Sequence, residues 1–194
     1  MEILKLAERN QQSARKVLED TAIISAWEGI GATVHLIGSA KTGLMMKSLD
    51  IDMHIYTDVL DIASSFSVMQ MLAERLPLME ITYINGIDTE EECIEWHALY
   101  KDKEMNIWKL DMIHIRKGSK YDGIVEKVTD AINEKLTPQL RRTILKIKNE
   151  VPEGIMIPGI HIYYAVFTGN VKNYTEFKQW YSANPLIDSL SWMP

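Results

Sequence analysis

The sequence predicts an α+β fold: a mixed β-sheet flanked by helices over residues 1–118, and a helical C-terminal region over residues 119–194 packed on that core. Three observations point to it. Short apolar runs with period-two alternation are concentrated before Gly118, whereas apolar residues after it recur at helical spacing. Composition is ordinary, with 46% hydrophobic and 25% charged residues, so a chain of 194 residues can bury a real core. No repeat and no low-complexity tract interrupts it.

The elements follow in order. Residues 2–28 read as a helix, with Val17, Thr21, Ile24 and Trp27 on one side and Gly29 and Gly31 ending it. Thr33–Ile37 is a short strand, followed at once by Gly38-Ser39 and a turn or short helix over residues 40–47. Residues 50–56 form a second strand. Residues 59–76 carry the stripe Ile62, Phe66, Met69, Ala73 and Leu76, with Pro77 beyond its end. Residues 81–85 read as a strand. Residues 93–100 and 105–115 read as a hairpin around KDKE, with Trp96 facing Trp108. Residues 122–135 are helical by the spacing of Ile124, Val128, Ala131 and Ile132. Thr137-Pro138 is a helix start, with Thr as cap and Pro in the first turn. GIHIYYAVFTG, ending at Gly169, reads as a further helix. Asn173 and Glu176 form a capping-box-like start for the last one.

Charge and composition narrow the function. A net charge of −6 argues against a protein that grips long nucleic acid mainly through phosphate contacts. The single cysteine, Cys93, lies in an apolar run and is expected in the core; it gives no support for an oxidising compartment. No apolar run reaches the ~18 residues of a membrane span. The N-terminal stretch is charged throughout, unlike a signal peptide, and a cytoplasmic location is expected.

The chemistry is concentrated in GSAKTGLMMKSLDIDMHI, residues 38–55. Asp50 and Asp52 alternate with Ile51, Met53 and Ile55 on a strand. Both carboxylates therefore point the same way, about 7 Å apart along the chain. Like charges so placed repel unless a cation lies between them, and hard oxygen ligands suit Mg²⁺. With ten residues between Ser39 and Asp50, Gly38 allows close approach to the backbone and Ser39 offers a hydroxyl and an N–H for phosphate. Asp111 is a lone acid in the apolar run WKLDMIHI, costly to bury without a partner. Three strand-borne carboxylates beside a phosphate cradle suit two-metal phosphoryl chemistry. Glu95, Asp102 and Glu104 are weaker rivals for the third acid. Lys41 and Lys47 flank the cradle and are candidate phosphate ligands. In the basic run 135–148, Arg141 or Arg142 is a candidate for an anion. His54 and His114 are expected to be strand residues with local hydrogen bonds.

A strand, Gly-Ser, ten residues, Asp-x-Asp and a lone acid on a later strand resemble the nucleotidyltransferase superfamily, which includes DNA polymerase β, the aminoglycoside nucleotidyltransferases and the minimal nucleotidyltransferases. The likeness covers residues 30–60 and extends to Asp111. It implies a nucleotidyltransferase-like sheet in which Gly38 and Ser39 meet the triphosphate. Asp50 and Asp52 would bind two Mg²⁺ ions (or Mn²⁺), and Asp111 the catalytic one, helping to deprotonate the acceptor. One departure is Leu49, where the family often has Ser; Ser48 stands one residue earlier. The implied reaction is attack of an acceptor hydroxyl on the α-phosphate of an NTP, ATP first, with release of pyrophosphate. A small-molecule acceptor is the first expectation and a protein hydroxyl the second. A nucleotide-binding or protein-interaction module without turnover stays open. A carboxylate–metal hydrolase is disfavoured by the Gly-Ser cradle, which it would not need.

Overall fold

The computed structural model describes residues 2–186 and 192–194. Its centre is a five-stranded mixed sheet in the order β1-β2-β5-β4-β3. The strands are β1 (Thr33–Leu36), β2 (Asp50–Thr57), β3 (Leu78–Gly86), β4 (Cys93–Lys101) and β5 (Ile107–Arg116). β1 and β2 are antiparallel, β2 and β5 parallel, and β5, β4 and β3 an antiparallel meander.

Alternation divides the sheet into two chemically different faces. Ile51, Met53, Ile55, Trp96, Ala98, Leu110 and Met112 share one face. They form a buried core with α1 (Glu2–Thr21), α2 (Ile23–Glu28) and α4 (Ile62–Arg75) through Val17, Ile23, Trp27, Val68 and Leu72. At about 1.5–3 kcal/mol per fully buried large apolar side chain, this face holds the sheet. Asp50, Asp52 and His54 of β2, Asp111 of β5 and Glu95 and His97 of β4 alternate onto the other face, whereas His114 of β5 lies on the core face, against Trp27. The expected first helix is broken in two at Ala22, which takes a left-handed conformation with φ 49°. α4 is capped by Asp61, whose carboxylate accepts from Ser64 N–H at 3.0 Å.

The C-terminal helices are α5 (Ile124–Lys135), α6 (Pro138–Glu150), α7 (Gly159–Gly169) and α8 (Tyr174–Ala183). Thr137 caps α6, and Asn173 caps α8 by accepting from Glu176 N–H at 3.0 Å, as their sequence patterns predict. A second apolar cluster unites Ile144, Leu145, Ile162, Val166 and Phe177 with Ala7 of α1 and with Leu44 and Met46. Residues from both sides of position 118 build it, so the loop carrying the phosphate-cradle candidates is anchored in the helical region.

The β4–β5 hairpin differs from expectation in register. Trp96 lies opposite Met112, and Trp108 opposite Tyr100, so the two tryptophans are not a pair. The turn spans Asp102–Asn106 rather than KDKE alone. The Asp102 carboxylate accepts from Asn106 N–H at 2.8 Å, Asn106 Nδ2 at 2.9 Å and Trp108 Nε1 at 2.8 Å. That side-chain cap fixes the turn, and with it every pairing in the hairpin. No helix among the described residues is long and apolar enough to cross a membrane.

Candidate active site

Parallel pairing sets Asp52 directly beside Asp111 and Asp50 beside Lys109. All four, with Ser39, Lys47 and Lys148, line a cleft of about 570 Å³ roofed by residues 152–158 between α6 and α7. The short helix α3 (Gly38–Thr42) leaves β1 at the edge of this cleft. Gly38 has φ 60°, and a Cβ there would lie 2.5 Å from Asp52 Oδ2. Only glycine lets the chain pass this close to that carboxylate in that conformation.

The acids are held against their own electrostatics. Burial, then Asp111 and then Asp50 push the Asp52 carboxyl up to about 6, against the opposing pull of Lys109 and Lys148. Asp50 is also raised, by burial first and by Asp111 second. Two partly desolvated carboxylates that resist ionisation form a donor set that a hard divalent cation would satisfy. Asp111 differs in having partners. His97 Nδ1 lies 2.6 Å from its Oδ1 and Lys109 Nζ 3.0 Å from its Oδ2, while His97 Nε2 lies 3.2 Å from Glu95 Oε2.

Lys148 completes the phosphate-binding side. Its ammonium donates to Ser39 Oγ at 2.8 Å and to Leu44 O at 2.7 Å, and it lies 5.7 Å from the centre of the Tyr163 ring. The Tyr163 hydroxyl is 3.2 Å from Ser39 Oγ. Lys47 lines the cleft but donates to Val151 O at 2.8 Å, tying the β2 approach to the roof. Lys41 does not line it; its exposed ammonium lies 4.0 Å from Asp130. Neither Arg141 nor Arg142 lines it, and Arg141 donates to Gly43 O at 3.3 Å.

Three residues near the cleft escaped the sequence, Lys148, Tyr163 and His97, whereas Lys109 falls on the Asp111 face by strand alternation and pairs with it. Lys148 stands seven residues after Arg141 in the basic run and so shares its helix face; that spacing was the available signal. His97 becomes a neighbour of Asp111 only in the observed hairpin register. The remaining candidates take structural places. His54 Nδ1 lies 2.9 Å from Glu126 Oε1, and buried His114 lies 2.7 Å from Thr57 Oγ1 through Nε2. Burial lowers His114 to about 4, so it stays neutral.

Among the described residues, one trio of possible metal ligands, Glu91, Cys93 and Glu95, has donor atoms all within 4.8 Å of one another. It sits on the same sheet face, away from Ser39. Burial and then Glu95 and Glu91 raise the Cys93 thiol to about 11, which works against the thiolate that a metal would need.

No protein-family model matches the sequence, and no curated protein matches it. Solved structures do resemble the fold. The Cid1 poly(U) polymerase, described with MgGTP bound, is 16% identical, with 72% of this chain and 42% of that one covered at a TM-score of 0.56. A cytoplasmic RNA terminal U-transferase is 15% identical, with 76% and 45% covered at 0.54. GLD-2, in its complex with RNP-8, is 10% identical, with 98% and 74% covered at 0.59. The chain spans less than half the length of the first two. At these identities the likeness establishes the fold: this chain has the nucleotidyltransferase fold.

Proposed function

We propose that this chain, with its nucleotidyltransferase fold, is a metal-dependent nucleotidyltransferase that moves a nucleoside monophosphate from an NTP to a hydroxyl acceptor. One observation carries the reading. Asp50, Asp52 and Asp111 line the same cleft as Ser39 and Lys148, so carboxylates for a cation and donors for a triphosphate face one another. The Cid1 structures described with MgGTP, MgATP and a UTP analogue support a nucleotide as ligand.

Ser39 Oγ–H and the Lys148 ammonium would hold and orient the triphosphate, with Gly38 allowing the backbone close to it. Asp50 and Asp52 fit a divalent ion, Mg²⁺ or Mn²⁺, which would neutralise the phosphates and the charge that develops on the leaving group. Asp111 is held by His97 and Lys109 on the side of the sheet reached from β4 and β3. There it would take the proton of the acceptor hydroxyl. The acceptor oxygen bonds to the α-phosphorus as the bond to pyrophosphate breaks.

A small hydroxyl compound is the favoured acceptor. The groove beside Asp111 is lined by Glu80, Thr82, His97, Ala98, Leu99 and Lys109, and with one exposed carboxylate beside one ammonium it lacks the basic surface that favours a polyanion. A second reading has one specific support: the similar structures are described as poly(U) and RNA terminal transferases, which makes a terminal RNA hydroxyl the rival acceptor. The test is incubation with each NTP, labelled at the α- or the γ-phosphate, and Mg²⁺ against amino-sugars, polyols, protein lysate and short oligoribonucleotides. The expected result is α-label on an acceptor and γ-label in pyrophosphate. Label from the γ-position on the acceptor would replace this reading with a kinase, and label on neither would favour a nucleotide-binding module.

A further inference from the structure

We infer that Lys109 serves as a built-in cation on the acceptor side of the acid cluster, so that the cleft takes one divalent ion with its nucleotide rather than two. The inference rests on the nucleotidyltransferase reading and specifies how its charges are balanced.

The geometry comes from strand register. β2 and β5 are parallel, and Lys109 and Asp111, two residues apart on β5, point to the same face as Asp50 and Asp52. The Lys109 ammonium lies 3.0 Å from Asp111 Oδ2, while Asp111 Oδ1 faces His97 Nδ1 at 2.6 Å. Both oxygens of the third acid are therefore engaged by the protein itself. A second cation on Asp111 would have to displace Lys109 or His97 from its oxygens, and the Lys109 backbone is tied into the sheet, with its N–H donating to Leu49 O at 2.9 Å.

Within the acid cluster, the Lys109 ammonium offsets the charge of Asp111 and leaves Asp50 and Asp52 as the carboxylate pair open to an incoming ion. The three acids are also not drawn together around a common point. Among the described residues, the trio with all donor atoms within 4.8 Å is the Glu91, Cys93 and Glu95 group, not Asp50, Asp52 and Asp111. Lys109 lines both the nucleotide cleft and the neighbouring groove with Glu80, Thr82 and His97. It thus stands at the boundary between the two substrates' places. An ammonium paired with Asp111 there can stabilise the oxygen of the attacking hydroxyl as its proton leaves, work that a second ion would otherwise do.

The test counts ions, not turnover. Mn²⁺ bound per chain is measured by electron paramagnetic resonance at saturating levels of a triphosphate analogue with a non-cleavable α,β-bridge. All four bases are tried and the tightest binder is used. Wild type is expected to bind one ion and Lys109→Met two. Two ions in wild type would overturn the inference and leave the nucleotidyltransferase reading standing. One ion in both proteins would also overturn it, since something other than Lys109 would then exclude the second. Absence of analogue and Mn²⁺ binding in wild type would remove the nucleotidyltransferase reading and this inference with it. The wild-type count decides by itself should Lys109→Met fail to fold. Lys109→Arg, which keeps the charge, should restore a count of one.

Discussion

Lys148, on α6, donates a hydrogen bond to the hydroxyl of Ser39, at the head of α3, over 2.8 Å. Residues 109 positions apart in sequence thus form one phosphate-binding unit, and the helical region is part of the site. Removing a hydrogen bond to a charged group costs about 1.5–3 kcal/mol. Lys148→Met should therefore lower NTP affinity by roughly tenfold to a hundredfold, measured by calorimetry with a non-cleavable analogue. Ser39→Ala should act through the same unit. The double variant should then lose clearly less than the sum of the two single losses. Strict additivity would mean that the two residues bind different parts of the ligand.

Asp52 predicts an unusual dependence of stability on pH. Its carboxyl is raised to about 6 in the folded protein from an ordinary value of 3.8. Between these values the folded state holds more protons than the unfolded state, so this group's contribution falls as pH rises through about 6. It is fully present only below the unfolded value. Asp52→Asn should flatten the decline measured by urea unfolding between pH 4 and 7, and should raise stability at pH 8 without metal. Asp50, raised in the same direction, leaves part of the slope. An Asp52→Asn protein less stable than wild type at pH 8 would contradict the account.

Gly38→Ala should be damaging although it adds only a methyl group. The new Cβ would lie 2.5 Å from Asp52 Oδ2, at a residue with φ 60°. The backbone conformation alone costs a non-glycine residue about 1–2 kcal/mol, and the carboxylate must also move. A lower melting temperature together with weaker NTP binding is expected. Wild-type binding would show that the approach of the chain to Asp52 does not matter.

Asp102 should matter for the fold without touching the cleft. It is buried and accepts from Asn106 and Trp108. Asp102→Ala leaves those donors unpaired, at about 1–3 kcal/mol for a buried group. Denaturant unfolding should show that loss. A variant as stable as wild type would mean that the hairpin register is set elsewhere.

Much of this molecule was legible in its sequence because local rules and tertiary structure agree there. The alternation of Ile51, Met53 and Ile55 gives β2, and its polar complement puts Asp50 and Asp52 on one face. Thr137-Pro138 and Asn173 mark helix starts that the structure keeps. What stayed hidden depends on long-range pairing. His97 meets Asp111 only because Asp102 moves the turn by its side-chain bonds, and hairpin register is weakly encoded when both strands alternate similarly. Lys148 was one of five basic residues in a single run; its spacing from Arg141 puts the two on one helix face, and packing of α6 against the Ser39 loop then singles it out. Ala22, which breaks the first helix at φ 49°, carries no residue signal at all.

The central claim is that the acids of this cleft perform transfer and do more than bind nucleotide, and Asp111 separates the two. The measurement is a pair of readings on wild type and Asp111→Asn: affinity for a non-cleavable NTP analogue by calorimetry, and pyrophosphate release with Mg²⁺ and the acceptor that the labelling panel identifies. Loss of a positioned acid–base group typically costs about a hundredfold or more in rate. The account predicts near-equal analogue affinity, with pyrophosphate release at least about a hundredfold slower in Asp111→Asn. Equal rates of release in the two proteins would contradict it.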